Sequence, residues 1–210
     1  MPPKPKYTRE QITDAAFELV KESGIDALAA RTLGKKLGTS SSPIFTFFSG
    51  MDELKDAVRE MARTCFREYM EGVFDYKMAF KEFGMRHIRF AKDEPNLYRF
   101  IFLDSEESLY DVFDREFSDV LLGLIKEIQS TFGISEDDAK VLFNHMLIYA
   151  NGIAGFCINN VGIFTEEFVS KSISTVCISL VHTIKLRDGS FNINQAKAMS
   201  ISPPVKPEKK

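Results

Sequence analysis

The chain has 210 residues, 44% hydrophobic and 27% charged, with a net charge of −3. That length suits one large domain, or a small domain on a larger one, and the composition is ordinary for a globular protein. No apolar run reaches the roughly 18 residues needed to cross a bilayer, and MPPKPKYTRE lacks the apolar core of a secretory signal, so a cytoplasmic protein with no membrane partner is expected.

Strand signals are nearly absent, and helical spacing runs almost throughout, so the expected class is all-α. Thr8-Arg9-Glu10-Gln11 carries a capping-box pattern, and Ile12, Ala15, Ala16, Leu19 and Val20 form one stripe of a first helix that Gly24 ends. A second short helix is expected over about Ala30–Leu37, stopped by Gly38. Ser40 is the expected cap of a third, with Pro43 in its first turn and with Ile44 and Phe48 on one face. Ser49-Gly50 then breaks the chain.

Longer helices follow. The spacing predicts them over Met51–Phe74, Lys77–Lys92, Pro95–Leu103, Glu106–Thr131, Ser135–Asn159 and Thr165–Leu186, nine helices in all. The acids Glu136, Asp137 and Asp138 stand where a helix dipole favours them. The end of the chain, rich in Pro and Lys, reads as disordered. The expected organisation is a helix-turn-helix head over residues 1–50, a helical body over 51–187 and a tail over 188–210.

The head is also mildly basic. Residues 1–48 carry seven Lys or Arg against five Asp or Glu, while the remainder carry 20 against 25. In a helix-turn-helix the last helix enters the DNA major groove and phosphates are held around it. Ile44 and Phe48 would anchor that helix, leaving Ser41, Ser42, Pro43, Phe45 and Thr46 to face DNA. Lys4, Lys6 and Arg9 could form a basic arm for the minor groove.

Over residues 8–54 the chain resembles the DNA-binding domain of the TetR/AcrR family of transcriptional regulators. The resemblance rests on Gly24-Ile25, Leu33, Gly38-Thr39-Ser40, Ile44-Phe45, Phe48 and Asp52-Glu53-Leu54, which follow the family pattern in order and spacing. It implies double-stranded DNA with a palindromic operator as partner, and a contact set of Arg31, Thr39, Ser41, Ser42, Pro43, Phe45, Thr46 and Phe47. Three positions depart from the pattern. Ala29 replaces a Thr or Ser cap, Phe45 replaces a Tyr, and Met51 replaces a Lys. These departures motivate an alternative: a ligand- or protein-binding module of the same fold that has lost sequence-specific DNA binding.

The resemblance further implies a repressor released by a small hydrophobic or aromatic effector, with a homodimer formed by the last two long helices. Aromatic residues crowd the stretch between 74 and 117. Phe83, Phe90, Tyr98, Phe113 and Phe117 are the candidate pocket walls, with His87, Asn144, His145 and Tyr149 as its polar groups. Asn151 is a further polar candidate. No GxSxG, HExxH, P-loop or nucleotide-binding glycine pattern occurs, so no enzyme is expected. His87, His145 and His182 lack ligand spacing, and Cys65, Cys157 and Cys177 show no CxxC. Neither a metal nor another cofactor is expected, and the cysteines should be free thiols.

Overall fold

The fold is taken from a computed structural model, which describes residues 7–104, 109–159, 161–162 and 164–186. Lys4, Lys6 and the tail lie outside that range, as does the expected helix start near Glu106. The described residues form ten α-helices and no strand. Three make the head: α1 (Arg9–Ser23), α2 (Ala30–Lys36) and α3 (Ile44–Phe47). The body comprises α4 (Met51–Tyr69), α5 (Ala79–Asp93), α6 (Pro95–Tyr98), α7 (Leu109–Glu116), α8 (Ser118–Phe132), α9 (Glu136–Ile158) and α10 (Glu166–Leu186).

Local chemistry sets most boundaries. Thr8 caps α1 reciprocally with Gln11, so two otherwise orphaned amides are satisfied. Ser135 caps α9 by accepting from the Asp138 amide at 3.1 Å. Gly133 ends α8 in the left-handed conformation at φ 63°, which glycine adopts without steric cost.

Four expectations need correction. Ser40 is not the cap of α3; Pro43 holds that position in a helical conformation, with no side-chain cap. Instead the Ile44 amide donates to the Ser41 carbonyl at 3.1 Å, so a turn winds straight into the helix. The helix from Met51 ends at Tyr69 rather than Phe74, because Gly72 turns left-handed at φ 72°. The stretch expected as a single helix up to Thr131 is two, parted at Phe117, whose backbone leaves the helical region at φ −133°, ψ 31°. Finally, α9 is long and apolar enough to cross a bilayer by length and composition. In the fold it is the central helix of the body, packed on α5, α8 and α10.

Position α4 makes the spine. Leu54, Val58, Ala62 and Phe66 recur every four residues and are all buried. This stripe joins the head to the body, since α1 packs on α4 as well as on α6. The π-helical turn Arg99–Leu103 continues α6 and brings Phe100, Ile101 and Phe102 inside.

Candidate nucleic-acid interface and body cavity

The head's outer surface is built from α2, its turn and α3. Ile44 is fully buried and Phe48 nearly so, and together they fix α3 on the core. Phe45, one residue on, is 50% exposed, and Ser42 and Thr46 are exposed beside it. Thr39, Ser41, Pro43 and Phe47 are half-buried, with Phe47 resting against the core, and Arg31 is exposed in the first turn of α2. The Thr46 hydroxyl donates to the Ser42 carbonyl at 3.3 Å.

The turn depends on two glycines. Gly38 has φ +65°. Gly34 is a residue the sequence reading missed: a Cβ there would sit 3.1 Å from the backbone of Thr39 and Ser40. The amide of Thr39 donates to the Gly34 carbonyl at 2.9 Å across that close approach. Tyr7 also ties the turn down, donating its hydroxyl to the Leu37 carbonyl.

Among the described residues, three of the five head cations are paired. Lys36 meets Glu22 at 2.8 Å, and Lys21 meets Glu94 at 2.7 Å. Arg9 meets Glu53 at 3.0 Å and lies over the Phe48 ring, so it belongs to the head's own packing. Hydrogen bonds from the Ser49 amide and hydroxyl, together with Arg9, hold the Glu53 carboxyl below its usual range. Among the described residues, Arg31 and Lys35 are the head cations with no carboxylate in ion-pairing distance. At two of the departures from the family pattern, Ala29 precedes α2 without any side-chain cap and Met51 is half-buried against the core.

In the body, the expected pocket walls are packed on one another. Phe66, which the sequence reading also missed, is the hub: its ring lies 5.0–6.0 Å from those of His87, Phe90, Phe102, Phe113 and Phe117. Most of these contacts are edge-to-face, the arrangement that aromatic quadrupoles favour. The four-residue apolar spacing along α4 is the signal that could have found it.

A short polar chain runs through this aromatic core. The Tyr98 hydroxyl donates to Oδ1 of Asn151, and His87 Nε2 lies 2.7 Å from the same hydroxyl. Since tyrosine has one proton to give, Nε2 carries the hydrogen and Nδ1 is the bare acceptor. That Nδ1 is buried with no partner. Burial holds the His87 pKa down to about 3, against a small opposing effect of hydrogen bonding toward Asn151, so the ring is neutral. Tyr98 is pushed well above the usual phenol range, mainly by burial.

Open space lies elsewhere. A cavity of about 210 Å³ sits between α5, α9 and α10. Phe80, Lys81, Phe83 and Gly84 line it from α5, and Met146, Leu147 and Ala150 from α9. Ile173, Ser174, Cys177 and Ile178 line it from α10, and Met78 and Phe132 complete it. Of the nine expected pocket residues only Phe83 reaches this cavity. His87, Phe90, Tyr98, Phe113 and Phe117 belong to the packed aromatic core. Asn144 and His145 are exposed, because the buried stripe of α9 runs through Leu142, Phe143, Met146 and Leu147. Tyr149 is half-buried, its hydroxyl 2.7 Å from that of Ser172 on α10.

The thiols are all free, and burial raises that of Cys177 to about 11, so it is neutral.

Comparison with known proteins agrees with this geometry. Residues 12–58 match the family described as "Bacterial regulatory proteins, tetR family". A TetR-like transcriptional regulator from Rhodococcus sp. RHA1 shares the fold at TM-score 0.58 and 12% identity, over 80% of this chain and 92% of that one. A second transcriptional regulator from the same organism aligns at TM-score 0.57 and 15% identity, over 89% of this chain and all of the other. No curated protein matches the chain by sequence. Residues 12–58, from α1 into α4, thus match the tetR family of bacterial regulatory proteins, and over 80% or more of its length the chain shares the fold of these two regulators.

Proposed function

We propose that the chain is a homodimeric, sequence-specific transcriptional repressor, released from a palindromic operator when a small apolar effector enters the body. The observation that carries the DNA-binding part is the α3 surface. Ile44 and Phe48 fix that helix from beneath, while Ser42, Phe45 and Thr46 face solvent within the segment that matches the family. Arg31 and Lys35 are its free cations for phosphate.

Support for the dimer comes from the outward faces of the last two helices. Ile148 and Phe156 on α9, and Phe168 and Ile178 on α10, are all more than half exposed. Large apolar side chains grouped on adjoining helices suit a two-fold interface. Two heads on such a dimer would reach half-sites about 34–36 Å apart, or a multiple of that.

The route from body to head would run through α6. Tyr98 on α6 donates its hydroxyl to Oδ1 of Asn151 on α9, and Asn96 on the same helix donates to the Lys21 carbonyl of α1 at 2.9 Å. Lys21 also pairs with Glu94, immediately before α6. A coupling of about 1–3 kcal/mol between the two sites would suffice for a 5–150-fold change in operator affinity.

A second reading, a module of this fold that has lost sequence-specific binding, is favoured by uncapped Ala29 and by Phe45 and Met51. A salt series on a labelled duplex tests the head. Operator affinity should fall steeply between 50 and 200 mM salt, and Arg31→Ala and Lys35→Ala should each make the log–log slope shallower by about 1 per subunit. A slope unmoved by either substitution would contradict the assigned surface. If Phe45→Tyr with Met51→Lys yields no sequence preference in a chain that lacks one, the second reading stands.

A further inference from the structure

The body cavity has one charged lining group. Ten of its thirteen lining residues are Met, Phe, Leu, Ile, Ala or Gly. Cys177 adds a neutral thiol, and the Ser174 hydroxyl already donates to the Ser170 carbonyl at 2.9 Å. Lys81 is half-buried in the first turn of α5 and is the remaining polar group on the wall.

The acids nearby in sequence and space are engaged elsewhere. Lys81 also borders an open groove lined by Glu82, Glu166 and Glu167, of which Glu82 pairs with Arg86 at 2.9 Å, Glu166 with Arg89 at 2.8 Å and Glu167 with Lys171 at 2.7 Å. Glu127 accepts from the Phe80 amide at 3.2 Å and from the Thr131 hydroxyl at 3.4 Å. Among the described residues, no carboxylate lies within ion-pairing distance of Lys81. A half-buried lysine on the wall of an apolar chamber gains most from an anion that brings its own apolar tail. The chamber exceeds the apolar cavity of about 150 Å³ that admits benzene.

We infer that this cavity binds a lipophilic carboxylic acid, with the apolar tail between α5, α9 and α10 and the carboxylate on the Lys81 ammonium. The inference rests on the effector reading above and gives that effector its chemical class. It places the ligand away from the aromatic core, against the two helices whose outer faces are assigned to the dimer. The acid group would sit at the start of α5, the helix that also carries His87.

Calorimetric titration of the full chain at pH 7.5, without DNA, tests it with two probes of equal length, octanoate and octan-1-ol. Octanoate should bind about tenfold tighter than the alcohol, the order expected of one charge-assisted hydrogen bond in a partly buried site. Lys81→Met, which keeps the aliphatic stem, should remove that preference while leaving the alcohol's affinity in place. Ser174→Phe, at the half-buried rim, should weaken both probes. Equal affinity for the two probes, no binding of either, or a preference that survives Lys81→Met would overturn the proposal. An octanoate preference unmoved by Ser174→Phe would put the site elsewhere and overturn it as well. Because no DNA is present, these outcomes are independent of operator binding. A chain that binds octanoate but never DNA would instead contradict the regulator reading.

Discussion

His87 shows how a single buried side chain can carry a pH response for the whole fold. Its ring is fully buried and neutral, one nitrogen tied to Tyr98 and the other bare among phenylalanines. In the unfolded chain the same group titrates near 6.5, whereas in the fold burial holds it to about 3. Between those values the unfolded state binds the extra proton. Stability is therefore present above pH 6.5 and is lost on acidification through this window, by up to about 1.4 kcal/mol per pH unit. His87→Phe should flatten that part of the decline when urea unfolding is followed from pH 6.5 to 4.5. A decline of unchanged steepness would show that His87 is not its source. As a sequence feature His87 was visible only as a polar residue in an apolar stretch; which hydroxyl it meets depends on α6 folding back over α5.

Single elements were legible where local chemistry decides and illegible where packing decides. The α1 cap was plain from Thr8 and Gln11, and the α8 end from Gly133. The break at Phe117 leaves no such mark. Its ring is drawn to within 5.0 Å of Phe66 and 5.2 Å of Phe113, contacts that no local signal in the sequence announces. Gly34 was silent for the same reason, since it is demanded by the backbone of Ser40 crossing in front of it. Gly34→Ala should force the turn apart by a few tenths of an ångström. Overpacking of this kind costs about 1–3 kcal/mol. The expected result is a lower melting temperature together with weaker DNA retention; unchanged values for both would show that the turn gives way freely.

At the scale of the whole molecule, the all-α fold was readable because helical spacing and glycine stops recur along the chain. The body's interior was not. An aromatic-rich stretch can wall a pocket or fill a core, and composition does not distinguish the two. Here the rings of Phe66, Phe102, Phe113 and Phe117 find each other, and the space is left where Gly84, Ala150 and Ser174 are too small to close it. The dimer proposal belongs to this scale as well. Ile148→Glu combined with Phe168→Glu places charge on the exposed faces of α9 and α10 at residues outside the body cavity. Light scattering should then report a monomer with unchanged helicity by circular dichroism. A variant that remains dimeric would move the interface away from α9 and α10.

The central claim is that two α3 surfaces on one dimer read DNA sequence. Selection of duplexes from a randomised library by the purified protein, followed by sequencing of what is retained at moderate salt, addresses it most directly. The account predicts an inverted repeat whose half-site centres are separated by about 10–10.5 base pairs or a multiple of that. Retention without any shared sequence, vanishing as salt is raised, would contradict it.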